Sequence, residues 1–112
     1  MSNVERAELA PGYEISRVLK GGWHLAGGHG DVDPETAISE MEDYMEAGIT
    51  TFDCADIYTG VEDLIGAFRA RCREQGRDDL LSRLKVHTKC VPDLGRLASL
   101  QKADVQETID RS

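Results

Sequence analysis

Thr50-Thr51-Phe52-Asp53-Cys54-Ala55-Asp56-Ile57-Tyr58-Thr59-Gly60 is a β-rich run that ends abruptly in two acids and a tyrosine. Period-two alternation puts Ile49, Thr51 and Asp53 on one face of a strand and Thr50, Phe52 and Cys54 on the other, so Asp53 falls at the strand's carboxyl end. Ligands of parallel α/β folds gather at such ends. Tyr58, five residues further on, can turn its phenol back over the same mouth.

Working outward, the strand is expected over residues 49–54, and the segments around it alternate in kind. On the amino side, Asp33-Pro34-Glu35 starts a helix over residues 34–47, with an N-cap acceptor, proline at the first helical position and acid in the first turn. Ala37, Ile38, Met41, Tyr44 and Met45 keep helical spacing, and Gly48 is a natural stop. Before it, Ala10-Pro11-Gly12 marks the turn of a short hairpin over residues 5–16. A first core strand over residues 15–21 then breaks into a glycine-rich loop. On the carboxyl side a helix over residues 61–75 presents Val61, Leu64, Ile65, Phe68 and Cys72 on one face. A strand over residues 84–89 follows, and a further helix begins near residue 104.

Strand–helix alternation of this kind builds a parallel sheet. Two closures are open, a small doubly wound sheet or the first three βα units of a TIM (β/α)8 barrel, which typically needs about 250 residues. The polar ending Glu107-Thr108-Ile109-Asp110-Arg111-Ser112, with almost no apolar face built, favours a truncated barrel preceded by the hairpin.

Composition restricts function. The 112 residues carry a formal charge of −8 and are 40% hydrophobic. An acidic chain without a Lys/Arg stripe has nothing to neutralise phosphates with, so no nucleic acid is expected. No apolar run approaches the ~18 residues of a membrane span, and the first residues lack the basic-then-apolar order of a signal peptide. A soluble, cytoplasmic protein is expected, with no membrane partner. Cys54, Cys72 and Cys90 are odd in number and widely spaced, which suggests reduced thiols packed as small hydrophobes rather than disulfides or a metal site. In the glycine-rich loop, Gly28-His29-Gly30 would need a glycine at position 33 to complete a dinucleotide fingerprint, and position 33 is Asp33.

Phe52-Asp53-x-Ala55-Asp56-x-Tyr58, Glu62-x-x-Ile65-Gly66 and Val86-x-Thr88-Lys89, in that order, resemble the N-terminal part of the aldo-keto reductases, from about residue 13 to the end. The resemblance implies an oxidoreductase that reduces a small aldehyde or ketone with NADP(H). It makes Asp53, Tyr58 and Lys89 three of four catalytic residues; the fourth, a histidine on the next strand, is not among His24, His29 and His87. Tyr58 would be the acid that protonates the developing alkoxide. Lys89 would favour the phenolate left behind, and Asp53 would hold Lys89 charged and in place. Trp23 would lie against nicotinamide and substrate, with Gly22 where the backbone approaches the cofactor and Asp53 beside them. Tyr58 would also meet the substrate.

Asp56 has no catalytic role in the resemblance and is expected to hold loop or helix-start amides, while His87 is expected to be a satisfied interior histidine. Lys20 on the first strand and the residues 27–30 insertion depart from the family's pattern. The family binds the cofactor's phosphates with later loops, so the 112 residues alone are not expected to turn over. A different class of function also fits: a non-catalytic binding or regulatory module that pairs with another chain, or with itself, through open strand edges. A flavodoxin-like domain would need a hydroxyl-rich phosphate turn, which residues 21–30 lack.

Overall fold

The chain switches partners at Ser16, and that switch organises everything N-terminal to the site. The computed structural model describes residues 4–22 and 33–111; Trp23, His24 and the residues 27–30 insertion lie outside them. Strands β1 (Arg6–Ala10) and β2 (Tyr13–Ser16) form an antiparallel hairpin with Ala7 opposite Ile15. A continuous strand over 15–21 is not formed: β2 ends at Ser16, and β3 (Leu19–Gly21) joins a different sheet. The buried Ser16 hydroxyl donates to Val18 O at 2.7 Å and accepts from the Thr50 and Thr51 amides at 3.2 and 3.1 Å. Its own amide donates to Thr51 Oγ1 at 3.0 Å. These bonds bend the chain between the two strands and fasten the hairpin to the start of the next one.

The second sheet is parallel, in the order β3–β4–β5, with β4 (Thr51–Asp53) central and β5 (Lys85–His87) on its far side. Its register aligns Lys20 with Phe52 and Val86, and Gly21 with Asp53 and His87. Side chains alternate across a sheet, so the first row faces the helices and the second faces away from them. Interstrand hydrogen bonds run beyond β5, from the Cys54 amide to His87 O at 2.6 Å and from the Asp56 amide to Lys89 O at 3.1 Å. The expectation of 84–89 therefore spans an extended segment whose regular pairing is shorter, and Leu84 closes the preceding helix instead.

Helix α1 (Pro34–Glu46) starts on an Asp33 cap that accepts from Thr36 N at 3.3 Å and from Thr36 Oγ1 at 2.7 Å. It ends one residue short of the expected 47, and Gly48 turns the chain at φ 97°, a left-handed conformation that glycine adopts without a Cβ penalty. Helix α2 (Val61–Glu74) buries Val61, Ile65, Phe68 and Cys72, with Leu64 only half-buried. These meet Ile38, Met41 and Met45 of α1 over Phe52, whose ring lies 6.5 Å from that of Phe68.

Two elements were not foreseen from the sequence. Helix α3 (Asp78–Arg83) slides Leu80 under the core, and Leu84 follows it one turn later. A 3-10 helix (Leu94–Ser99) precedes α4 (Lys102–Arg111), which starts slightly before residue 104 and buries no side chain. Cys54 and Cys72 are buried thiols, while Cys90 is exposed, contrary to the expectation that all three pack as hydrophobes.

Candidate active site

Asp53 closes β4, and Lys89 lies two residues past β5, on the same face as His87. From there the Lys89 ammonium donates to Asp53 Oδ1 at 2.8 Å and to Cys54 O at 2.6 Å. The hydrogen bond to Asp53 raises the Lys89 pKa above the ordinary lysine value, with burial pulling the other way. Both side chains are almost half exposed, at 46% and 43%. Water therefore screens the pair, and it serves to orient the ammonium more than to stabilise the fold.

The turn after β4 brings Tyr58 to the same place. The Tyr58 amide donates to Ala55 O and the Val61 amide to Tyr58 O, each at 3.1 Å. This short loop packs the half-buried ring against the core and sets it under Lys89, whose Nζ is 5.5 Å from the ring centroid. That separation is within cation–π range. Asp53, Tyr58 and Lys89 thus lie together at the carboxyl end of three parallel strands.

Gly22 is buried at the edge of this group, and its amide donates to Asp53 O at 2.8 Å. A Cβ there would fall 2.9 Å from Val61 Cγ1, 3.0 Å from Asp53 O and 3.7 Å from Tyr58 Cδ2. The need for glycine is therefore met by protein atoms, without invoking a cofactor's approach. Trp23, the other residue of the first loop singled out from the sequence, lies outside the described residues.

Around the three residues, Asp56 accepts from the Val91 amide at 3.0 Å. Thr88, beside Lys89, donates to Glu62 Oε2 at 3.4 Å. His87 Nε2 is 2.8 Å from the Tyr13 hydroxyl and the two rings stack at 6.0 Å, with Lys85 Nζ 5.6 Å from the Tyr13 centroid. Lys20 turns the other way, to the helix layer, its ammonium 5.2 Å from the Tyr44 ring centre. Sequence reasoning missed Tyr13 and the Thr88–Glu62 bond. Alternation places Lys85, His87 and Lys89 on one face, but no local signal says that the hairpin supplies the ring covering two of them. Burial pushes the Cys54 thiol up, which disfavours a thiolate at this site.

A cavity of about 330 Å³ opens beside the group, with Asp56, Ile57, Glu62, Val91, Arg96 and Asp104 among its walls. None of Asp53, Tyr58 and Lys89 lines it, so reactive geometry rather than cavity volume locates the candidate site. Among the described residues no group of three or more His, Cys, Asp or Glu side chains is arranged to hold a metal ion. Among them, too, no helix is long and apolar enough to cross a membrane.

Residues 17–112 match the Aldo/keto reductase family, and the matched span takes in Gly22, Asp53, Tyr58 and Lys89. The chain belongs to this family. It is also similar to a 6-dehydroglucose reductase of Agrobacterium fabrum (strain C58 / ATCC 33970), at 31% identity over 100 residues. The similarity covers 86% of this chain and 32% of that protein, so the chain spans about a third of the relative's length. The parallel strands, the acid at the end of β4 and the lysine past β5 are what this aldo/keto reductase sequence builds at its sheet's carboxyl rim.

Proposed function

We propose that these residues are the N-terminal βα units of a TIM-barrel aldo/keto reductase that reduces a small aldehyde or ketone, with Tyr58 as the proton donor, Lys89 as its electrostatic partner and Asp53 as the residue that orients Lys89. The observation that carries this reading is the Lys89 ammonium, held by Asp53 at 2.8 Å and centred 5.5 Å from the Tyr58 ring. NADPH, when bound, supplies the hydride. The residues present suit its nicotinamide end: a partly exposed carboxylate can accept from a hydroxyl, and the rim is polar. Asp53 and the neighbouring Gly22 would hold that end, and the family resemblance assigns Trp23 to it as well.

The chemistry assigned to the chain itself is proton delivery. As a carbonyl oxygen gains negative charge it must take a proton, and the Tyr58 hydroxyl gives it. The phenolate that remains is stabilised by the neighbouring ammonium. Asp53 keeps that ammonium from turning into solvent, where its long stem would otherwise carry it. The chain spans about a third of the relative's length, so the activity is proposed for the whole protein that contains these residues.

The test is reduction of a simple aromatic aldehyde with NADPH by the complete enzyme that contains these residues. Tyr58→Phe should lower turnover by about 10²- to 10⁴-fold and leave cofactor affinity, read by fluorescence titration, nearly unchanged. Lys89→Met should cost a similar factor, and the double variant little more, since both disable one proton-transfer unit. Parental turnover in Tyr58→Phe would remove this tyrosine from the mechanism.

A further inference from the structure

The segment that carries Lys89 is tied back to the β4 loop by one residue acting through two different groups. The Asp56 amide donates to Lys89 O at 3.1 Å, which extends the β4–β5 ladder by one step. The Asp56 carboxylate then accepts from the Val91 amide at 3.0 Å. Pro92 follows and has no N–H, so at this point of the chain the donor comes from Val91. Lys89 and Val91 are thus both pinned to Asp56, one on each side of the exposed Cys90.

We propose that Asp56 is a positioning residue for Lys89, clamping residues 89–91 so that the lysine stem leaves the backbone where its ammonium reaches Asp53 and Tyr58. This rests on the reductase reading for its catalytic consequence, but the geometry it asserts is separate. Lys89 is exposed, and a lysine's flexible four-carbon stem alone does not choose Asp53 over solvent. What limits the choice is the position of its main chain. The ladder bond fixes Lys89 O, and without a second anchor the 90–92 segment could rotate about it. Asp56 provides that anchor from a half-buried position between the candidate site and the neighbouring cavity.

Two readouts test this, one of them independent of activity. Acylating reagents attack only the neutral amine, and Asp53 keeps Lys89 protonated. Release of the ammonium from Asp53 should therefore speed labelling of Lys89, measured by peptide mass spectrometry. Asp56→Ala should label several-fold faster than the parent, while Asp56→Asn, whose amide oxygen can still accept from Val91, should stay close to it. In the complete enzyme, Asp56→Ala should lower kcat by roughly 10- to 100-fold, the scale of a small misplacement. Asp56→Asn should recover most of that loss. Asp56→Ser, polar but too short to reach the Val91 amide, gives the same readouts should the alanine variant not fold. Unchanged labelling in Asp56→Ala or Asp56→Ser overturns the proposal, as does an Asp56→Asn variant that behaves like alanine, since charge rather than the clamp would then matter. The reductase reading fails separately, through parental turnover of Tyr58→Phe, whatever the labelling of Lys89 shows.

Discussion

Gly22 has no room for a side chain, and two of the three atoms that would meet one belong to the site's own framework. The nearest, Val61 Cγ1 at 2.9 Å, can shift slightly; Asp53 O at 3.0 Å is backbone and is already bonded to the Gly22 amide. Gly22→Ala should therefore push β3 away from β4, at a cost of ~1–3 kcal/mol for overpacking. The ~0.4–1 kcal/mol gained by restricting the unfolded chain does not offset it. Urea titration should report the loss, and a variant as stable as the parent would mean that the backbone gives way freely. This constraint was not legible in the sequence, because it needs Val61 and Asp53 brought beside a residue some thirty to forty positions away. Asp53 and Lys89 were more legible. Alternation put Asp53 at a strand's carboxyl end, and the family resemblance singled out Lys89 at the end of the next strand.

Elements were readable where their signals were local and long enough. The start of α1 was written in Asp33-Pro34-Glu35, and the cap geometry gives a test of it. Thr36 donates to the Asp33 carboxylate, first through its hydroxyl and then through its amide, and holds the Asp33 pKa below the ordinary carboxylate value. A depressed folded-state pKa contributes stability that is present above the unfolded value, near 3.9, and is lost as pH falls through the folded one. Asp33→Ala should lower the thermal midpoint by roughly 3 to 8 °C near neutral pH, and the gap should narrow steadily below about pH 4. A gap that is constant down to strongly acid pH would assign the loss to something other than the carboxylate. By contrast, the division of residues 15–21 was invisible, since the change of partner at Ser16 depends on the Thr50 and Thr51 amides. Helix α3 carried a signal in Leu80 and Leu84, one turn apart, but six residues are too few for periodicity to stand out from a polar linker.

At the scale of the molecule, charge and exposed apolar surface oppose each other. The radius of gyration is 15.5 Å, against ~13 Å for an ordinary domain of about 100 residues. Among the described residues, strands β3 and β5 each have an unpaired edge within their sheet. Leu19 on one of those edges is 40% exposed, and Leu94, Leu97 and Ile109 are more than half exposed. Such edges and patches seek partners. In a complete barrel that partner would be further strands; for these 112 residues alone it would be another copy of the chain. The −8 charge resists that association by mutual repulsion. The repulsion reaches ~30 Å at 0.01 M salt but only ~3 Å at 1 M, whereas burial of apolar surface is not weakened by screening. Size-exclusion chromatography of the 112-residue chain should therefore show species larger than the 12.3 kDa monomer, with the larger fraction growing as salt is raised. Growth at low salt instead would point to ionic rather than apolar contacts. A single sharp monomer across the whole range would mean that the open sheet needs no covering, and the barrel reading would lose its physical reason.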